Sequence, residues 1–132
     1  SIGVVDTSCT PISNSTGFPA SLFGNGSLVV SNNQLQLDAI QLPLNQFGYF
    51  VMSRTTANVP VASGRLCLGA PLYRFNTSIL NSGTSGLMSF APDLTALPQG
   101  QVFLPGDTWS FQLWFRDGAS SNFTNGLGFT WQ

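Results

Sequence analysis

The chain predicts an all-β protein: an antiparallel, jelly-roll-like two-sheet sandwich of about eight strands, closed by one disulfide. Three observations carry that expectation. First, the sequence contains no Lys, Glu or His, and only 7% of its residues are charged; its polar positions fall to Ser, Thr, Asn, Gln and Gly, which compete with or weaken a helix. Second, 14 Gly and 8 Pro are spread over 132 residues, so every helix-length window meets a breaker or a turn former. Third, short apolar segments alternate with period two and are bounded by turn residues, the pattern of half-buried strands. The length suits a single domain over residues 1–132 with one core.

Along the chain, residues 1–8 form an N-terminal extension whose apolar run, Ile2-Gly3-Val4-Val5, has the character of a strand able to pair with a neighbouring molecule. Residues 9–26 read as turn-rich, punctuated by Pro11, Gly17, Pro19, Gly24 and Gly26. Ser27 to Ser31 reads as a strand. Gln34 to Leu42 alternates, with Leu35 and Leu37 on one face. Phe47 to Arg54 is nearly continuous in apolar and aromatic residues, as for a central strand covered on both faces. After a Pro-containing loop, Gly64 to Phe75 reads as a strand interrupted at Gly69-Ala70-Pro71, because Pro cannot donate to a ladder. Gly86 to Phe90 is a further short strand, and residues 92–105 are loop.

The clearest signal is Asp107 to Asp117. Trp109, Phe111, Leu113 and Phe115 fall on one face, and Ser110, Gln112, Trp114 and Arg116 on the other. The final strand, Leu127 to Trp131, places Leu127, Phe129 and Trp131 together.

Composition excludes several functions. A net charge of −1 without a basic cluster offers nothing to neutralise phosphates, which argues against nucleic acid. No apolar run is long enough for a membrane span. General acid–base chemistry draws mostly on His, Glu, Lys, Asp, Tyr and Cys; three of these are missing, so the chain is read as not an enzyme and as needing no cofactor. A glycosidase pair from Asp107 and Asp117 fails on spacing: ten residues of extended strand separate them by roughly 33 Å. Arg116 and Asp117 suit an ion pair at the end of their strand. A calcium site using Asp117 and Asn122 has weak support, since a hard cation wants more than one carboxylate.

Cys9 and Cys67 form an even pair, which in an extracellular chain reads as a disulfide; two buried free thiols are the alternative. Without His or further Cys they make no zinc site. The chain starts Ser1-Ile2-Gly3 and reads as a mature product or an excised domain. Four Asn-x-Ser/Thr triplets, at Asn14, Asn25, Asn76 and Asn122, would mark exposed loops if the source glycosylates.

The runs Asn14-Ser15-Thr16-Gly17, Leu42-Pro43-Leu44-Asn45-Gln46-Phe47-Gly48-Tyr49-Phe50, Gly64-Arg65-Leu66-Cys67-Leu68-Gly69, Trp109-Ser110-Phe111-Gln112-Leu113-Trp114-Phe115-Arg116-Asp117 and Ser121-Asn122-Phe123-Thr124 resemble a domain of large secreted proteins of environmental bacteria. The resemblance spans nearly all of residues 9–131. It implies an all-β domain of uncharacterised function, often at the C-terminal end of a longer chain, with no catalytic residues to transfer. Cys9 and Cys67 match its paired positions, which supports the disulfide. Residues 1–8 precede the pattern.

Two extracellular or cell-surface roles follow as expectations. One is a structural, self-associating protein, such as a repeating fibre subunit whose partners are its own copies or other surface proteins; a surface without Lys lacks the usual guard against edge-to-edge pairing. The other is a carbohydrate-binding or adhesion module. There Trp114, flanked by Gln112 and Arg116, would offer a ring for stacking beside planar hydrogen-bonding groups for a glycan. Packing of Trp114 beneath the Pro-rich loops is the competing expectation.

Overall fold

The computed structural model describes residues 3–5 and 9–132. Among these the strands are β1 (Val4–Val5), β2 (Ser21–Gly26), β3 (Leu35–Ile40), β4 (Phe47–Ser53), β5 (Thr56–Val61), β6 (Gly64–Leu68), β7 (Tyr73–Arg74), β8 (Leu80–Asn81), β9 (Met88–Phe90), β10 (Thr108–Asp117), β11 (Ser120–Phe123) and β12 (Leu127–Thr130). Several are two or three residues long, so the strand count exceeds the expected eight. Two single 3₁₀ turns, Val30–Asn32 and Pro98–Gly100, are the helical elements among the described residues.

All pairings are antiparallel. The large sheet runs β1-β12-β10-β4-β7, with β11 also on β10 and β8 also on β4. The second sheet is β2-β3-β9. One cluster joins Leu22, Leu35, Leu37, Ala39 and Met88 of the small sheet to Phe50, Met52, Phe111, Leu113, Phe115 and Phe129 of the large one. The two sheets therefore share one core between their inner faces, as in a sandwich. Phe103, from the loop before β10, closes one end by stacking on Trp131 at 4.8 Å and tilting against Trp109 at 5.1 Å.

The alternation in β10 holds: Trp109, Phe111, Leu113 and Phe115 are all buried in this core. Its opposite face meets a third layer, the β5–β6 hairpin. The Pro-containing stretch expected to be loop is in fact β5. Pro60 is tolerated because β5 pairs only with β6 and is an edge strand. Cys67 on β6 is joined to Cys9, with 5.7 Å between Cα atoms, which settles the thiol alternative in favour of the bond.

The strand expected at Ser27 to Ser31 lies earlier, at Ser21–Gly26. Ser27 Oγ accepts from the Val29 amide and from Asn32 Nδ2, at 3.1 and 3.0 Å, and bends the chain into the 3₁₀ turn. Gly24 and Gly26 are strand residues chosen for close approach. A Cβ on Gly24 would lie 2.4 Å from the Phe129 ring, and Gly26 sits at φ +95° against the Gln34 carbonyl. The side chain of Asn125 completes β2: its Oδ1 accepts from the Leu22 amide at 2.8 Å and its Nδ2 donates to the Leu22 carbonyl at 3.3 Å. One amide thus stands in for a neighbouring strand along that edge.

Candidate functional site

The outer face of the large sheet is divided. On one half, Ser110 and Gln112 lie beneath the β5–β6 hairpin and the segment after it: the Cys67 amide donates to Gln112 Oε1 at 3.0 Å, and Ser53 Oγ donates to the Gly69 carbonyl at 2.6 Å. On the other half no strand among the described residues lies over the sheet. There the register sets Trp114 opposite Tyr49 on β4 and Phe123 on β11. Ring centroids are 6.1 Å apart for Tyr49–Trp114 and 5.1 Å for Trp114–Phe123. The hairpin ends over Phe123, which is buried, and leaves Trp114 and Tyr49 half-buried.

Phe47 continues this row and is 59% exposed; Ile79, at the start of β8's approach, is equally so. Together with Trp114, Arg116 and Ser121 they line a groove of about 290 Å³. The Arg74 guanidinium lies 5.9 Å from the Trp114 ring centroid, close enough for a cation–π attraction. Arg116 donates to Ser121 Oγ and to the Ala119 carbonyl, both at 3.4 Å. These are long bonds, and the guanidinium remains exposed. The groove thus offers three aromatic rings and two cations, without a carboxylate in its lining.

Trp114 and Arg116 share this surface, but Gln112 does not. Its side chain is fully buried, and its Nε2 donates to the carbonyls of Arg65 at 2.9 Å and Thr124 at 2.7 Å. Placing Gln112 beside a ligand is therefore corrected: alternation does put it on Trp114's face, but the hairpin covers that half. Phe47, Tyr49, Ile79 and Arg74 are among the groove residues that reading missed. The expectation that β4 is covered on both faces hid the first two, and it holds only for its Phe50–Ser53 end.

Other expectations meet similar local reasons. Asp117 Oδ2 accepts from the Ser15 amide at 2.9 Å, and among the described residues Asp117 forms no ion pair with Arg116. The ion pair present among the described residues is Arg54–Asp107 at 3.0 Å, with Arg54 also over Trp109. Asn122 is buried and donates to the carbonyls of Ile12 and Ser13, which removes it from any calcium site with Asp117. Asn14 is buried too, donating to the Gln41 carbonyl at 2.9 Å. Two of the four glycosylation triplets are thus interior, and only Asn25 and Asn76 are exposed.

The second candidate feature is the outermost strand of the large sheet. Val4 pairs with Phe129 and Val5 with Gly128 of the same chain. The strand is two residues long, and Val4 is 42% exposed. Ile2 lies outside the described residues; Gly3 precedes the strand in a bend.

Compared with protein-family models, with characterised proteins and with solved structures, the chain finds no match in any of the three. Among the described residues no helix is long and apolar enough to cross a membrane.

Proposed function

We propose that this protein is a non-catalytic extracellular surface protein that assembles with its own copies by pairing strands at the edge of its large sheet. The observation that supports the reading is β1: residues of the N-terminal extension add to the edge of β12 through the main chain. An edge that accepts an extended segment from its own chain offers the same hydrogen bonds to that segment from a neighbour. Exchange between copies then conserves the pairing while linking molecules head to tail. With no Lys or Glu in the chain, the edge lacks the charges that usually prevent such contacts. A disulfide is compatible with an extracellular location, and the motif resemblance to secreted bacterial proteins points the same way.

The test compares the full chain with a variant lacking residues 1–5, by light scattering and negative-stain imaging at neutral pH. The full chain is expected to form filaments or discrete oligomers and the shortened one to stay monomeric. Monomers in both samples, or equal assembly in both, would overturn the proposal.

The groove favours a second reading, a carbohydrate-binding or adhesion module. A half-buried Trp114 flanked by Phe47, Tyr49 and Arg116 suits stacking of a sugar ring with hydrogen bonds at its rim. On a glycan array this reading expects binding that Trp114→Ala reduces at least tenfold, with β10 still folded.

A further inference from the structure

A second concavity, of about 500 Å³, is lined by Arg74 and by the Asn76–Ser78 turn. This volume is in the range of small-molecule sites. Its wall carries Arg74, Asn76, Thr77, Asp93 and Gln99, and its apolar part includes the ring of Phe90. Behind the wall Phe90 is held by Phe50, stacked at 5.4 Å, and by Phe75, edge-on at 5.2 Å.

We infer that this cleft binds a neutral saccharide, at a site that shares only Arg74 with the Trp114 groove and is independent of strand exchange. The argument starts from charge. The lining holds one cation, Arg74, and one anion, Asp93. Asp93 stays ionised at neutral pH, because the Thr95 hydroxyl and amide and the Asn33 side chain hold its carboxyl below the usual range. A singly charged ligand gains from one of these groups and loses to the other, so neither sign of charge is favoured. An uncharged ligand with many hydroxyls instead meets the amides and hydroxyls of the wall.

The polar groups are of the matching kind. Among the described residues the three donors to the Asp93 carboxylate all bond Oδ1, which leaves Oδ2 as an acceptor on an exposed residue. Amides such as Asn76 and Gln99 each present a donor and an acceptor in one plane, the arrangement that reads paired hydroxyls. Gln99 is held at φ 55°, ψ 33°, a left-handed conformation that a non-glycine residue adopts at a cost. Phe90, half-buried, adds apolar surface to the lining.

Binding to an array of neutral and uronic-acid oligosaccharides, using the full chain from a host without N-glycosylation, tests the inference. A neutral oligosaccharide is expected to bind, with its uronate counterpart no tighter. Asn76→Ala and Gln99→Ala are each expected to weaken binding tenfold or more without altering the melting temperature, while Trp114→Ala changes it less than twofold. No neutral saccharide bound, binding that survives both cleft substitutions, or stronger binding of uronates would each overturn the site. Loss on Trp114→Ala alone would also overturn it, while supporting the groove as the glycan site.

Discussion

Replacing Gln112 by alanine is expected to destabilise the fold by about 3–5 kcal/mol, the sum of several interior groups losing their partner at once. The side chain is fully buried between the large sheet and the β5–β6 hairpin. Its one oxygen accepts from the Cys67 amide, and its nitrogen donates to the carbonyls of Arg65 and Thr124. Truncation strands one donor and two acceptors in the interior, each at a cost of roughly 1–3 kcal/mol before water or rearrangement recovers part of it. Gln112→Leu separates bonding from volume. It fills most of the space, so a loss nearly as large as that of alanine identifies the hydrogen bonds as the cause. Denaturant unfolding of the three proteins checks this; a loss below about 1 kcal/mol in both variants would contradict it.

The double substitution Cys9→Ala, Cys67→Ala is expected to lower stability by about 2–5 kcal/mol, the usual cost of removing a native disulfide from a small domain. The cysteines are 58 positions apart, so the bond closes a long loop and restricts the unfolded chain substantially. It ties the chain ahead of β2 to β6, the strand that Gln112 also grips through the Cys67 amide. Two fastenings on one strand should not act independently. Combined with Gln112→Ala, the cysteine double variant is expected to differ from the sum of the separate losses by more than about 0.5 kcal/mol. Simple additivity in denaturant unfolding would show that hairpin and sheet are held elsewhere.

Those elements also mark where the fold was readable in the sequence and where it was not. β3, β10 and β12 announce themselves because each has one face in the core, so burial is written as alternation: Leu35, Leu37; Trp109 to Phe115; Leu127, Phe129. β2 does not, because its glycines serve neighbours rather than turns: Gly24 makes room for the Phe129 ring. The β5–β6 hairpin is hidden for a different reason. Its β5 strand, Thr-Ala-Asn-Val-Pro-Val, is largely exposed and carries a proline, so it has neither periodicity nor a clean apolar run. β11 is short, and its Ser-Ser-Asn-Phe resembles loop, although three of its four residues are buried.

The hairpin, unmarked in the sequence, is what buries Gln112 on the face that alternation shares with Trp114. A period of two says which side of a sheet a residue occupies, but not whether another layer lies above it. Trp114 and Arg116 were identifiable from β10 alone. Phe47, Tyr49 and Arg74 join them through pairings between strands distant in sequence, which no local pattern records.

The interior positions of Asn14 and Asn122 bear on how this chain can be made. Enzymes that attach sugar to Asn-x-Ser/Thr act on exposed polypeptide, and an oligosaccharide is bulky and strongly hydrated. In a secretory pathway that modifies the polypeptide before it folds, a sugar on Asn122 could not enter the space where its amide meets Ile12 and Ser13, and one on Asn14 would displace its bond to Gln41. Expression in a host that attaches oligosaccharide during synthesis is therefore expected to lower the folded yield relative to a host that does not.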